Sequence, residues 1–154
     1  MSVCKENNNI HHEYLPLLPS VPPSIRYASI ALGKCPDAVN LWLGNHHSVT
    51  SLHRDNYENI YCQILGAKHF DLLPPIETAC VNECFLPLAT WEWDGGLCLR
   101  PDGPLRPGEP EDRVPCAVWD PDQPDGNPTT FSHLSRPIRA RLGPGDMLYL
   151  PACW

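Results

Sequence analysis

Proline is the residue that most restricts how this chain can fold. The 154 residues include 19 prolines, well above the roughly 5% of an average protein. Each proline inside a helix removes a hydrogen bond and clashes with the preceding turn, so long helices are disfavoured. Because a chain of 154 residues suits a single core, we predict one mainly β domain with long irregular connections.

The pattern of apolar residues, glycines and prolines along the sequence divides this domain into four parts. They are an irregular lead-in, a strand-rich barrel core, a proline-rich loop and a final pair of strands, at residues 1–38, 39–75, about 95–128 and 138–154. Prolines recur through the loop so densely that we predict no strand ladder there. The final two strands are predicted to flank a turn at Gly143–Asp146.

Apolar stretches at Val39–Gly44 and Ser48–Asp55 predict strands in the barrel core. Two further strands, at about 59–65 and 68–73, flank Gly66-Ala67, which indicates a type II′ hairpin turn.

That hairpin would place Leu65 opposite Lys68, so counting back by twos puts Asn59 on the face of Lys68. We therefore predict that Asn59 and Lys68 point into one space.

The stretch His53–Asn59, HRDNYEN, looks like the catalytic loop of a protein kinase. In that loop the metal-binding asparagine follows the aspartate by five residues, whereas Asn59 comes one residue too early. The glycine-rich loop, the V-A-I-K strand and the D-F-G motif are also missing from the sequence. We reject a kinase function on these grounds.

The same stretch contains His53-x-Asp55, and residues two apart in a strand point to the same side. A histidine and a carboxylate on one face are two corners of a 2-His-1-carboxylate iron site. Alone, such a pair more often means a solvated histidine beside a capping aspartate. Lys68 and Asn59 favour the iron interpretation, because a lysine and an amide inside a barrel suit a dicarboxylate that chelates the metal. Arg54 is predicted to be incidental.

Charge and cysteine content exclude other functions. The net charge of -7 and the absence of a basic stripe argue against nucleic-acid partners. No apolar segment reaches membrane-spanning length or marks a secretory signal, so we predict no membrane partner and free thiols in a reducing compartment, the cytoplasm or also the nucleus. Cys80-x-x-x-Cys84 lacks a second pair and makes a poor zinc site.

Two stretches resemble the Jumonji-C (cupin-like) oxygenases: DAVNLWLGNHHSVTSLHRDNYENIYCQILGAKHFDLLPP at 37–75 and GDMLYLPACW at 145–154. The resemblance implies a double-stranded β-helix, a jelly-roll cupin-like barrel, that binds Fe(II) and uses 2-oxoglutarate and O2. By this resemblance His53 and Asp55 are catalytic metal ligands. Thr50, Asn59 and Lys68 would hold 2-oxoglutarate.

The activity implied is that of a protein oxygenase, most closely of the lysyl hydroxylase type. Its partner would be a protein substrate that presents a lysine side chain, with GTP-binding proteins as candidates. Whether the full-length protein forms a homodimer is left open. Two alternatives stay open: a Jumonji-C histone lysine demethylase or tail protease, and a non-catalytic cupin-like binding module.

The family carries its second iron histidine just beyond an LPA-x-W stretch, and Trp154 is the last residue here. We therefore predict an incomplete domain that is inactive as this fragment. His47, His69 and His133 are possible substitutes for the third ligand, although His69 neighbours Lys68 and is expected to face away from it.

Overall fold

The computed structural model describes residues 2–3, 7–101 and 113–154. The chain divides into two compact units, Met1–Thr50 and Ser51–Trp154. Residues 102–112, part of the predicted proline-rich loop, lie outside the described residues. In the part of the chain that is described, no helix is long and apolar enough to span a membrane.

The first unit consists of short elements. Strand β1 (Ser2–Val3) pairs antiparallel with β2 (Leu43–Gly44). Between them lie two 3-10 helices, Asn9–His11 and Leu15–Ser20, and helix α1, Arg26–Leu32. Gly33 ends α1 with φ of 69°, a left-handed conformation that glycine adopts without steric cost.

The predicted strand Val39–Gly44 is mostly wrong, because only its last two residues enter a ladder. A buried asparagine side chain replaces the ladder at Leu41. The Asn9 Oδ1 accepts from the Leu41 N–H at 2.7 Å, and the Asn9 Nδ2 donates to the Leu41 carbonyl at 3.1 Å. Both backbone groups of Leu41 are thus satisfied without a partner strand.

The second unit contains a first ribbon made from four strands. Strand β3 (Asn59–Cys62) pairs antiparallel with β10 (Met147–Leu150), and β4 (Lys68–Leu72) pairs antiparallel with β9 (Ile138–Leu142). The turn predicted at Gly143–Asp146 is confirmed, since the Asp146 N–H donates to the Gly143 carbonyl at 3.0 Å. It joins β9 to β10.

The predicted hairpin between β3 and β4 is wrong, although both strands exist. Their ladders are filled by β10 and β9, so the chain bends at Gly66 (φ 75°) and passes from one two-stranded sheet to another. Gln63 holds the bend beside the second turn: its N–H donates to the Asp146 carbonyl at 2.9 Å and its carbonyl accepts from the Gly145 N–H at 2.8 Å.

A second ribbon overturns the prediction that no ladder crosses residues 95–128. Strand β5 (Glu83–Pro87) pairs antiparallel with β8 (Arg113–Ala117), and β6 (Ala89–Trp93) pairs antiparallel with β7 (Leu97–Pro101). A strand in a two-stranded sheet has one unpaired edge, which accommodates a proline that has no N–H to donate. Pro101 ends β7, and Pro115 lies within β8.

The mainly β prediction is confirmed: the described residues form ten strands and one α-helix, of seven residues. Two 3-10 helices, Pro75–Cys80 and Ser132–Leu134, complete the second unit. Its buried apolar side chains are Leu73, Cys80, Trp119 and Leu142. The Tyr61 and Phe70 rings meet edge to face with centroids 5.0 Å apart, which joins one face of β3 to one face of β4.

Candidate active site

The segment that carries the predicted metal ligands, residues 51–58, is not part of any strand. The predicted strand Ser48–Asp55 is therefore wrong. Single backbone bonds hold the segment instead of a ladder: the Ala117 N–H donates to the Leu52 carbonyl at 3.3 Å, and the Cys153 N–H donates to the Asp55 carbonyl at 2.7 Å. We call residues 51–58 the ligand segment.

His53 and Asp55 converge within the ligand segment. The His53 Nε2 lies 3.8 Å from the Asp55 Oδ2, and the two side chains are 50% and 58% exposed. The His53 Nδ1 lies 2.8 Å from the Ser51 carbonyl oxygen, which can only accept, so in the neutral ring Nδ1 carries the proton and Nε2 has the lone pair. Two metal bonds of about 2.1 Å separate their donor atoms by roughly 3.0 Å at a right angle and by up to roughly 4.2 Å in a line, so one ion reaches both atoms, and the right-angled geometry needs the two side chains to close by less than about 1 Å.

The described residues contain no group of three or more histidine, cysteine or acidic side chains that could hold a metal ion. His69 stands opposite Arg141 in the β4–β9 ladder, on the other face from Lys68, as expected from strand alternation. His47 belongs to the first unit, and His133 lies in the helix Ser132–Leu134. In the described part of the chain, the candidate metal site therefore has two ligands, His53 and Asp55.

Arg54, predicted to be incidental, anchors the ligand segment. Its Nη2 lies 3.2 Å from the Glu83 Oε1, and its Nη1 donates to the Thr78 Oγ1 at 3.5 Å. The Glu83 side chain is 25% exposed, so this contact is better shielded from water than a typical surface ion pair. Sequence reasoning missed it because Arg54 and Glu83 are far apart in the chain; only the alternating position of Arg54 between two ligands hinted at it.

Strand β10 and the residues after it hold the far end of the ligand segment. The Cys153 Sγ donates to the Asn56 Oδ1 at 3.7 Å. The Tyr149 hydroxyl donates a short hydrogen bond to the Glu58 Oε2, and this bond raises the pKa of Tyr149 above its ordinary value of 10.0. The segment is thus fastened to β5, β8 and β10 rather than stabilised by a ladder of its own.

Asn59 and Lys68 lie on one side of the first ribbon, although not through the predicted hairpin. Alternation puts Asn59 on the face of Tyr61 and Lys68 on the face of Phe70, and the two rings are in contact. The Lys68 Nζ lies 5.8 Å from the Phe70 ring centroid.

Lys68 is half-buried, and among the described residues no carboxylate pairs with it. A partly desolvated ammonium without a counter-charge favours an anionic ligand. Thr50 is the last residue of the first unit, and its assignment to the 2-oxoglutarate site stays a prediction.

The described chain is made mainly of antiparallel ribbons, and a histidine and a carboxylate converge on a segment held beside them; a mainly β fold that presents such a pair is typical of the cupin-like class of protein. The family described as "Cupin-like domain" matches residues 2–154. The chain belongs to this family, and the sequence-based prediction of a Jumonji-C, cupin-like domain is confirmed.

Three curated relatives resemble the chain along nearly its whole length. The human protein "Bifunctional peptidase and (3S)-lysyl hydroxylase JMJD7" is 39% identical over 155 residues, covering 99% of this chain and 47% of the relative. "JmjC domain-containing protein E" of Dictyostelium discoideum is 33% identical over 159 residues, covering 97% and 44%. "Lysine-specific demethylase JMJ32" of Arabidopsis thaliana is 32% identical over 161 residues, covering 97% and 45%. The chain spans about half the length of these relatives.

Proposed function

We propose that the protein is an Fe(II)- and 2-oxoglutarate-dependent protein oxygenase whose metal is held by His53 and Asp55. The observation that carries this proposal is the 3.8 Å separation of the His53 Nε2 from the Asp55 Oδ2. Imidazole and carboxylate are the donor set of the facial triad of non-haem iron oxygenases, and the protonated Nδ1 on the Ser51 carbonyl keeps Nε2 available for the metal.

Bound Fe(II) would supply the activation of O2, while 2-oxoglutarate is decarboxylated to succinate and a substrate C–H bond is hydroxylated. The residues of this chain bind and orient the reactants. The Lys68 ammonium pairs with the distal carboxylate of 2-oxoglutarate, and the Asn59 amide donates a hydrogen bond in the same pocket. Thr50 is proposed as a 2-oxoglutarate residue by the family resemblance alone. Lys68 suits this role because it is half-buried and pairs with no carboxylate in the described part of the chain.

By the family resemblance, a third metal ligand is expected beyond the position that Trp154 occupies. The backbone bond from Cys153 to Asp55, at 2.7 Å, brings the residues before that ligand alongside the ligand segment. Two protein ligands hold a divalent ion more weakly than three, so we expect the described pair to bind a divalent ion weakly by itself.

Lysyl hydroxylation is the reaction we propose, with a lysine side chain of a protein as the substrate. The name of the human relative includes (3S)-lysyl hydroxylase and peptidase, and that of the plant relative includes lysine-specific demethylase. Lysine is the residue shared by the hydroxylase and demethylase names. The acidic net charge of -7 favours the approach of a basic segment. We propose the cytoplasm or the nucleus as the compartment.

A non-catalytic binding module is the second candidate, and it rests on the described residues supplying only two metal ligands. Anaerobic titration with Mn(II), with and without 2-oxoglutarate, distinguishes the two functions. For the oxygenase we expect saturable Mn(II) binding that tightens with 2-oxoglutarate, together with succinate release and a gain of one oxygen on a lysyl peptide by the protein extended past Trp154. Absence of Mn(II) binding in both forms would leave the binding module.

A further inference from the structure

Two cysteines face each other across the second ribbon. Cys84 in β5 and Cys116 in β8 are direct partners in the antiparallel ladder, so their side chains lie on the same face of the ribbon. Both are free thiols and both are half-buried. The ladder therefore holds two nucleophilic groups side by side that the proposed oxygenase chemistry does not use.

The backbone bonds indicate how far apart these partners are. The Ala117 N–H points away from β5, toward the Leu52 carbonyl, and Pro115 has no N–H. Because alternate N–H groups of a strand face its partner, the N–H of Cys116 faces β5, and Cys84 and Cys116 form the hydrogen-bonded kind of pair. Such partners have Cα atoms about 5.5 Å apart, within the range of about 4.4 to 6.8 Å found for disulfides. Their Cβ atoms are also about 5.5 Å apart, wider than the roughly 3.5 to 4.5 Å that a disulfide needs, so closing the bridge requires the ribbon to twist locally.

The other cysteines in the described part of the chain lack this arrangement. Cys80 is buried in a 3-10 helix, and burial, followed by the Glu77 carboxylate, raises the pKa of its thiol. Cys98 is opposite Glu92 in the β6–β7 ladder. The Cys84 Sγ donates to the Asn82 Oδ1 at 3.8 Å, a weak contact that leaves the sulfur able to rotate toward Cys116.

We propose that Cys84 and Cys116 form a reversible disulfide when the protein meets a peroxide. One thiol releases its proton and the thiolate attacks hydrogen peroxide; the O–O bond breaks, a sulfenic acid forms, and the departing hydroxide takes up the released proton to become water. The second thiolate attacks that sulfur, the S–S bond forms and a second water leaves. The sulfur pair loses two electrons and the peroxide gains them. An external thiol reverses the step by exchange.

The disulfide would act on the ligand segment through the neighbouring ladder pair. Glu83 and Ala117 are partners one position away: Glu83 holds Arg54, and the Ala117 N–H holds the Leu52 carbonyl. Forming the disulfide requires the two Cβ atoms to approach to about 3.8 Å. This approach twists the ribbon next to Glu83 and Ala117, the residues that contact the ligand segment. This consequence rests on the proposed function, whereas formation of the disulfide does not.

Peroxide treatment followed by alkylation and peptide mass mapping tests the disulfide. We expect protection of Cys84 and Cys116 together, a cross-linked peptide pair, and reversal by dithiothreitol. Cys84→Ser and Cys116→Ser should each abolish the cross-link, while Cys98→Ser should retain it. A Cys80–Cys84 cross-link, or independent oxidation of both thiols to sulfinic acid, would overturn the proposal.

Mn(II) titration of the reduced and oxidised protein tests the coupling. We expect oxidation to weaken Mn(II) binding about tenfold, the lower end of the effect of losing a contact behind a metal ligand, and Cys84→Ser to remove the difference. Equal affinities would disprove the coupling. If the reduced protein binds no Mn(II), either as residues 1–154 or in the form extended past Trp154, the proposed function fails, and the mass mapping still decides whether the disulfide forms.

Discussion

The metal ligands and the residues proposed for 2-oxoglutarate are supported in two different ways. His53 and Asp55 lie on an exposed segment outside every ladder of the described chain, held by isolated contacts to β5, β8 and β10. Lys68 and Asn59 lie on ladder strands of the first ribbon. A strand residue is positioned by many repeated bonds, whereas a residue of the ligand segment depends on a few. Metal binding by His53 and Asp55 should therefore be sensitive to substitutions at distant contacts of the ligand segment. Binding at Lys68 should be sensitive mainly to substitutions nearby.

Removal of a metal ligand should produce the largest effect. Asp55→Ala leaves His53 as the only one of the two ligands, and we expect Mn(II) affinity to fall more than about a hundredfold, since losing an outer contact alone costs 10- to 100-fold. Isothermal titration with Mn(II) measures it. Asp37→Ala is the matched control, because Asp37 pairs with Lys34 at the surface of the first unit. If the Mn(II) affinity of Asp55→Ala were within twofold of wild type, Asp55 would not be a metal ligand.

The next largest effect should separate cosubstrate binding from metal binding. Lys68→Ala should weaken 2-oxoglutarate binding about 10- to 100-fold, as expected for loss of one charge-assisted contact, and leave Mn(II) affinity unchanged. Lys68→Arg should recover part of the loss because it keeps the charge.

Binding of 2-oxoglutarate to the Mn(II)-loaded protein provides the measurement, and Lys34→Ala serves as the surface control. Loss of Mn(II) binding in Lys68→Ala would show that the two halves of the site are not separate. Unchanged 2-oxoglutarate affinity would exclude Lys68 from the pocket.

Local chemistry could be predicted from the sequence, and long-range pairing could not. The turn at Gly143–Asp146 and the strand character of 59–62 and 68–72 follow from residue type and alternation. Which strand pairs with which is decided by the segments that compete for each edge. Gly66 was compatible with a hairpin, but β3 pairs with β10 and β4 pairs with β9 instead of with each other.

The same limit applies to the site. His53 and Asp55 lie close together, as their two-residue spacing predicted, although the strand assumed in that prediction is absent. The anchoring role of Arg54 could not be predicted in this way, because it depends on contact with Glu83, which is distant in the sequence. Most of the predicted strand at 39–44 is absent because the Asn9 side chain bonds both backbone groups of Leu41. Local sequence could not predict this, because Asn9 is distant from Leu41 in the chain.

Removal of a remote contact should weaken the metal pair without touching a ligand. Arg54→Ala frees the ligand segment from Glu83 and Thr78, and we expect Mn(II) affinity to fall about tenfold with little change in melting temperature. Arg54→Lys should restore only part, since a single ammonium does not reproduce the two-pronged contact.

Arg100→Ala is the matched control, because Arg100 pairs with Glu92 and Asp94 in the second ribbon and contacts no residue of the ligand segment. Titration of Mn(II) alongside thermal unfolding distinguishes positioning from general stability. If Arg54→Ala lowered the melting temperature strongly and left the affinity intact, Arg54 would be a structural residue only.

The smallest effect should come from the hydrogen bond between Tyr149 and Glu58, which fastens the exposed end of the ligand segment. This bond raises the folded-state pKa of Tyr149 above 10.0, so its stabilisation is fully present below about pH 10 and is lost as the pH rises through the raised pKa. We expect Tyr149→Phe to lower the melting temperature at pH 8 by no more than about 2 °C, because exposed contacts contribute little. The difference from wild type should disappear at higher pH, whereas Tyr57→Phe, at another exposed tyrosine, should match wild type throughout. A difference that stays constant up to pH 11 would mean that Tyr149 contributes by packing and not through Glu58.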